Sequence, residues 1–225
     1  MKAYDVIIFD LDGTLTDPKV GITKSIQYAL TKFEIKENNT DKLAQFIGPP
    51  LLESFKKYYS LNDPRARQAV DFYREYFSDK GMFENKVYPD IPRLLIHLHK
   101  NNKKLILATS KPTIYSTRIL KYFDLYQYFS LVVGSNLDLT RTSKREIIHD
   151  ILLELTDYQK SQMVMVGDRD EDIIGAHDNG IDSIAVTYGY GSIEELKKVN
   201  PTYVVHSVEG LTSLITATPR ENWGT

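Results

Sequence analysis

The chain has 225 residues, a length that fits one large domain or a core domain carrying a smaller insert. It has 28 basic and 30 acidic residues, and this near balance argues against electrostatic binding to nucleic acid or to an anionic membrane. It contains no cysteine, which excludes disulfides, thiolate metal sites and cysteine nucleophiles.

The first part of the chain combines one strand pattern with a long helical segment. A short apolar run, Val6–Phe9, predicts a buried strand. From Thr16 to about Lys86 the pattern is helical, with a break at Gly48-Pro49-Pro50 and no convincing strand. The predicted helices are Val20–Phe33, Asp41–Phe46, Leu51–Tyr59 and Pro64–Ser78. This insert is either a lid over a site or a structural helical layer, and periodicity does not separate the two.

From residue 87 onward, short apolar runs alternate with helical patterns. The strand patterns are Leu105–Ala108, Leu131–Val133, Met163–Val166 and, more weakly, Ser183–Val186. Helices are predicted around Ile91–Leu98 and Ile147–Leu155, and from about Asp172 to Gly180. The alternation predicts an α/β fold with a Rossmann-like, doubly wound parallel sheet. We expect residues 1–15 and 87–225 to form this core, residues 16–86 to form the insert, and residues 217–225 to fray.

Two carboxylates follow the first predicted strand directly. Asp10 and Asp12 would lie at the carboxyl edge of the sheet, where α/β proteins bind ligands, and Gly13 would allow a tight turn there. Paired buried carboxylates repel each other unless a cation lies between them. The alternative is that Asp10 and Asp12 only form turns.

A second acidic group follows the run Met163–Val166. It includes Asp168, directly after Gly167, and Asp172 four residues later. Acidic residues also favour helix N-termini, which explains Asp170 and Glu171 better than it explains Asp168. Two acidic strand ends together would supply oxygen ligands suited to Mg²⁺.

Two further segments could bind an anion. Thr109 and Ser110 follow the predicted strand Leu105–Ala108, and Pro112 is placed for the first turn of the next helix, whose N-terminus can bind phosphate. Lys144 stands at a predicted helix start, where a positive charge is unfavourable. Either it has a specific anionic partner or it is a solvated surface lysine.

These four motifs, in this order, resemble those of the haloacid dehalogenase-like hydrolases. The segments around Gly48-Pro49-Pro50 and Ala108–Pro112 look most like the phosphoglycolate phosphatase-like branch. The resemblance implies a small helical cap at 16–86, with Gly48, Pro49 and Pro50 as the candidate cap loop facing the site. Leu139 stands where similar sequences often carry glycine, in a connecting segment.

The resemblance also implies a role for each motif residue. Asp10 would be the nucleophile that forms an aspartyl-phosphate, and Asp12 would protonate the leaving oxygen and then activate water. Asp10, the Asp12 backbone carbonyl and Asp168 would hold Mg²⁺, with Asp172 supporting that shell or the lysine. Thr109 and Ser110 would bind the phosphoryl group, with Lys144 neutralising charge on the nucleophile and on the phosphate.

Four functions remain to be compared at this point. A magnesium-dependent phosphatase acting on phosphoglycolate, a 5′-nucleotide or a similar small phosphomonoester is favoured. A sugar phosphomutase of the β-phosphoglucomutase type shares every core residue. A haloacid dehalogenase would not need Asp12, and a non-catalytic binding module would not need the full set of motifs.

Location and partners follow from the same patterns. The N-terminus lacks the longer apolar stretch of a signal peptide, and no apolar run approaches the roughly 20 residues of a membrane span. We therefore expect a cytoplasmic protein whose partner is a small phosphorylated substrate, without nucleic-acid or membrane partners. The sequence gives no indication of the oligomeric state.

Overall fold

The computed structural model describes residues 2–216, and its centre is a six-stranded parallel sheet. The sheet order is β5-β4-β1-β6-β7-β8, and a separate antiparallel pair is formed by β2 and β3. The strands are β1 (Val6–Phe9), β2 (Thr16–Asp17), β3 (Lys86–Val87), β4 (Lys104–Pro112), β5 (Leu131–Ser135), β6 (Met163–Gly167), β7 (Asp182–Val186) and β8 (Tyr203–Val205). The predicted α/β class and parallel sheet are confirmed.

Helices cover the sheet and form most of the segment between β2 and β3. They are α1 (Lys19–Thr31), α2 (Thr40–Leu43), α3 (Leu51–Tyr59), α4 (Asp63–Tyr76), α5 (Ile91–Lys100), α6 (Thr113–Tyr122), α7 (Lys144–Glu154), α8 (Asp170–Asp178), α9 (Ile193–Lys198) and α10 (Val208–Thr216). None of the helices between residues 2 and 216 has the length and hydrophobicity needed to cross a bilayer.

The alternation of side chains along β1 shows that both faces of the sheet are covered. Ile7 and Phe9 belong to the larger hydrophobic cluster, which also contains residues of α5 and α6. Val6 and Ile8 belong to a second cluster that contains residues of α7 and α8. Because successive strand residues point to opposite faces, a strand that is apolar at every position must be buried on both sides.

Most of the longer elements lie within about three residues of their predicted bounds, but β4 continues to Pro112, four residues beyond its predicted end. Strand β8 and helices α9 and α10 were not predicted. Strand β8 has only three residues and lies at the sheet edge, so its pattern is weak. The helix predicted from Asp172 begins at Asp170. Residues 217–225, predicted to fray, lie outside the described residues.

The segment between β2 and β3 is helical, with differences at its ends. The strands β2 and β3 were not predicted, because a two-residue strand carries no periodic pattern. A π-helical turn, Phe77–Gly81, extends α4, and the side chain of Asn62 caps that helix by accepting a hydrogen bond from Arg65 N. The division of the chain into core and cap remains a prediction, with β2 and β3 marking where the chain enters and leaves the helical segment.

Candidate active site

Three adjacent strands place the predicted motif residues at one edge of the sheet. The order β4-β1-β6 brings the carboxyl ends of these strands side by side. Asp10 directly follows β1, and its backbone N–H donates to Val166 O of β6 at 2.9 Å. Thr109 lies in β4 and Asp168 directly follows β6. Motifs that are far apart in sequence therefore meet at the position where α/β proteins bind ligands.

Three buried carboxylates form a compact acidic cluster at this edge. Carboxylate oxygens of Asp10, Asp168 and Asp172 lie within 4.8 Å of one another, and the three residues are 5%, 0% and 1% exposed. Burial, together with the charges of Asp10 and Asp172, raises the pKa of Asp168 well above its ordinary value. Three negative charges this close need positive charge between them.

Lys144 supplies one such charge. Its ammonium lies 2.7 Å from Asp10 Oδ1, 2.7 Å from Asp172 Oδ1 and 2.9 Å from the carbonyl oxygen of Ala108. Burial alone would lower the pKa of Lys144, but the charges of Asp10 and Asp172 raise it above the ordinary value. The residue is only 6% exposed, so the alternative of a solvated surface lysine is wrong. It begins α7, whose start faces Gly175 of α8 at close range.

The negative charge of the acidic cluster that Lys144 does not neutralise suits a divalent cation. One oxygen of Asp168, Oδ2, accepts a hydrogen bond from Tyr190 N at 2.6 Å. The other, Oδ1, is buried and has no hydrogen-bond partner among residues 2–216. A buried carboxylate oxygen without a partner is costly, and a hard cation bound by oxygen ligands removes that cost. Asp10 and Asp168 therefore suit Mg²⁺, and Asp172 adjoins them while also contacting Lys144.

Gly13 is required by the approach of Asp168. Its φ is +88°, in the left-handed region, and a Cβ placed there would lie 2.1 Å from Asp168 Oδ2. Any side chain at this position would displace the carboxylate, so glycine is needed both for the turn and for the space. The positive φ fits the tight turn expected at Gly13, and the sequence did not reveal Asp168 as its neighbour.

Asp12 forms an ion pair separate from the one made by Lys144. Its Oδ2 lies 2.6 Å from Lys111 Nζ, and both side chains are less than 10% exposed. Burial raises the pKa of Asp12, and Lys111 only partly offsets that rise. A buried carboxyl with a raised pKa can carry the proton that a general acid must donate. Lys111 was not predicted as a site residue, although its position next to Thr109 and Ser110 indicated the same sheet edge.

Thr109 and Ser110 lie beside these groups. Thr109 is 2% exposed and its Oγ1 accepts a hydrogen bond from Lys111 N at 3.3 Å, while Ser110 is half-buried. Pro112 is the last residue of β4 and the N-cap of α6, one position earlier than predicted. Both hydroxyl residues line a small polar cavity of about 20 Å³, together with Asp10, Asp12 and Lys144.

Arg169 connects the predicted cap loop to the residues around the small cavity. Arg169 Nη1 donates to Ile47 O at 2.6 Å, while its Nε donates to Glu195 Oε1 at 2.8 Å. Gly48, with a φ of +104°, packs against the Arg169 side chain and lines the cavity. The sequence identified Gly48 but not Arg169, since the hydrogen bond to Ile47 joins residues 122 positions apart.

A larger cavity of about 140 Å³ adjoins the small one. The two share Asp12, Gly48, Ser110 and Lys111 as lining residues. The rest of the larger cavity is mostly apolar and aromatic, with contributions from both the helical segment and the core. These contributors include Pro49, Pro50, Tyr73, Phe77, Tyr115 and Leu139. A polar end beside an apolar chamber suits a ligand that combines a phosphoryl group with a larger organic part.

Comparison with known proteins then identifies the family. The model of the haloacid dehalogenase-like hydrolases matches residues 7–186, which is most of the chain. The chain belongs to this family. The resemblance found in the four motifs is thereby confirmed.

Individual relatives define the group more closely. A protein of Pseudomonas aeruginosa named 5′-nucleotidase is 42% identical, with 94% of this chain and 96% of that protein aligned. The tyrosine-protein kinase PtkA of Mycobacterium tuberculosis is 35% identical, with 92% and 70% aligned. The structure of a Clostridium acetobutylicum protein described as a predicted phosphatase has a TM-score of 0.91 and 46% identity, covering 95% of this chain and 99% of that one. The chain is a phosphatase of the haloacid dehalogenase-like family.

Proposed function

We propose that the protein is a magnesium-dependent phosphatase that hydrolyses small phosphomonoesters through an aspartyl-phosphate on Asp10, with 5′-nucleotides as its main substrate class. One observation carries this proposal. Asp10 is buried, held by Lys144 at 2.7 Å, and shares the small polar cavity with Asp12. A nucleophile and a separate acid thus line the same small cavity, next to the larger cavity that would hold the leaving group.

The first half of the reaction transfers the phosphoryl group to the protein. A carboxylate oxygen of Asp10 attacks phosphorus, the bond between phosphorus and the ester oxygen breaks, and Asp12 donates its proton to that oxygen. Lys144 stabilises the negative charge on Asp10 and on the phosphoryl oxygens. Thr109 and Ser110 offer hydroxyl donors to the phosphoryl oxygens.

The second half returns the nucleophile to its starting state. Asp12, now a carboxylate, accepts a proton from a water molecule as that water attacks phosphorus. The bond between phosphorus and Asp10 breaks, releasing inorganic phosphate and a free Asp10 carboxylate. Lys111, whose ammonium lies 2.6 Å from Asp12 Oδ2, donates a hydrogen bond that would hold the Asp12 side chain in position in both of its protonation states.

Asp10 and Asp168 would hold the magnesium ion through their side chains and Asp12 through its backbone carbonyl, with Asp172 supporting them. When bound, the ion supplies positive charge that neutralises the phosphoryl oxygens and orients them toward the nucleophile. The partnerless Asp168 oxygen supports this assignment.

The larger cavity supports a substrate bigger than phosphoglycolate. Its lining is mainly aromatic and aliphatic, with Glu53 and Arg74 as charged members, and it suits a flat aromatic ring with a polar edge, whereas glycolate is small and charged. The Pseudomonas relative named 5′-nucleotidase agrees with this choice. A nucleoside 5′-monophosphate joins a phosphoryl group to such a ring through ribose, and its two ends match the two adjoining cavities.

We expect phosphate release to depend on Mg²⁺. The assay measures inorganic phosphate from nucleoside 5′-monophosphates, phosphoglycolate, sugar phosphates, phosphotyrosine and p-nitrophenyl phosphate, each with Mg²⁺ and with EDTA. Release should stop in EDTA and return when excess Mg²⁺ is added, with nucleotides as the preferred group. Full activity in EDTA would contradict the metal assignment, and no release from any ester would contradict the phosphatase mechanism.

Asp12→Asn should separate the two halves of the reaction. The amide keeps the shape of the side chain but cannot donate the proton or activate water, so we expect steady-state turnover to fall by about 10²-fold or more. An acid-quench experiment with ³²P-labelled substrate should still detect some phosphate on Asp10. Asp5→Asn, a change at a partly exposed residue that precedes β1 at its opposite end, is the matched control. Wild-type turnover in Asp12→Asn would exclude its role.

A further inference from the structure

Leu139 has a backbone conformation that a leucine rarely adopts. Its φ is +70°, in the left-handed region that favours glycine, and a bulky side chain there is strained. The residue lies in the loop between β5 and α7, directly before the helix that presents Lys144. Strain of this kind persists only where the surroundings enforce it, and it is often found at binding sites.

Hydrogen bonds inside the loop enforce the conformation. Asn136 N donates to Thr140 O at 3.1 Å and Leu139 N donates to Asn136 O at 3.3 Å. The Asp138 carboxylate accepts from both the backbone N–H and the hydroxyl of Thr140. Arg141 ties the loop to β5 through Gly134 O at 2.8 Å. These hydrogen bonds fix the backbone of the loop and therefore the direction of the Leu139 side chain.

The side chain of Leu139 faces the larger cavity. Leu139 is half-buried, packs against the main hydrophobic cluster and lines that cavity. Part of the cavity lining is an aromatic group in which Phe77 stacks on Tyr73 at 5.1 Å and meets Tyr115 edge to face at 5.5 Å. These rings pack against one another, which limits their movement. Leu139 adds an aliphatic contact from a separate loop.

We propose that Leu139 is a specificity-determining residue that packs against the flat ring of the leaving group, and that its strained backbone is retained because it directs the side chain into the cavity. This inference rests on the proposed function, since it requires a substrate whose leaving group enters the larger cavity. A glycine would adopt the same backbone without strain but would leave that part of the cavity unlined. Leu139 therefore favours ring-bearing esters over small ones such as phosphoglycolate.

The test compares two substrates in Leu139→Gly. We expect the ratio of kcat/KM for a nucleoside 5′-monophosphate to that for phosphoglycolate to fall by about tenfold, mainly through a higher KM for the nucleotide. Leu139→Met keeps an apolar side chain of similar reach and should restore most of the ratio. Glycine relieves the backbone strain but removes the contacts of Leu139 with the hydrophobic cluster, so the two effects on the melting temperature of Leu139→Gly oppose each other.

Glu34→Gly is the matched control. Glu34 has a φ of +60° in an exposed turn and does not line the cavity. This change relieves similar strain, so it should leave the substrate ratio as in the wild type. An unchanged ratio in Leu139→Gly, at any melting temperature, would show that Leu139 does not contact the leaving group and would overturn the inference. A wild-type protein that hydrolyses other esters but no nucleotide would instead refute the proposed substrate, and the inference with it.

Discussion

Asp10→Asn should abolish turnover while leaving the fold intact. The amide oxygen is a much weaker nucleophile than a carboxylate, so no aspartyl-phosphate can form, and we expect kcat to fall by more than about 10³-fold. Asparagine has nearly the shape of aspartate, and it removes one of three clustered negative charges. The measurement is phosphate release from a nucleoside 5′-monophosphate in Mg²⁺, together with labelling of the chain by ³²P-labelled substrate.

The controls for this prediction separate chemistry from folding. The melting temperature in EDTA should stay close to that of the wild type, because the amide oxygen of the variant can still accept the hydrogen bond that Lys144 donates to Asp10. Asp12→Asn should become labelled whereas Asp10→Asn should not. Near-wild-type activity in a clean preparation of Asp10→Asn would refute the aspartyl-phosphate mechanism.

Lys144→Met should affect both stability and activity. Methionine has a similar length but no charge, so Asp10 and Asp172 would keep their burial and lose their partner. Removing one member of a buried ion pair typically costs about 3–5 kcal/mol. We expect a loss of about 3 kcal/mol in the free energy of unfolding in EDTA, measured by urea denaturation, and a fall in kcat of at least about 10²-fold.

Two further measurements show whether charge causes this loss. Mg²⁺ should restore part of the stability of Lys144→Met, because a bound cation also neutralises the acidic cluster. Burial raises the pKa of Asp172 to about 6, and the charge of Lys144 only partly offsets that rise. The double variant Lys144→Met with Asp172→Asn should therefore be more stable than the sum of the single changes predicts. If the changes in the free energy of unfolding are additive, the contact between Lys144 and Asp172 does not contribute to stability.

Together, these results would separate the role of Asp10 from the role of Lys144. Asp10 would be needed for chemistry alone, and Lys144 for both chemistry and the folded state. This difference arises because Lys144 is a single positive charge between buried carboxylates, whereas Asp10 is one of three negative charges.

Local sequence patterns were enough to predict the fold class and the positions of the acidic motifs. A strand buried on both faces is apolar at every position, so Val6–Phe9 and Met163–Val166 were visible without any tertiary information. Asp10 and Asp168 follow such strands directly, and parallel strands end at one edge. Their convergence therefore followed from local pattern together with a general rule of α/β sheets.

Side-chain burial and side-chain contacts are visible only in the folded chain. Lys144 looked equally suited to the surface, and only its contact with Asp10, 134 positions earlier, shows otherwise. The pairing of Lys111 with Asp12 and the bond from Arg169 to Ile47 O likewise join distant segments. Leu139 looked like a neutral change in a connecting segment, and its backbone angle and cavity position exist only in the folded loop. Local patterns specify elements, whereas burial and ion pairing depend on contacts that no local pattern encodes.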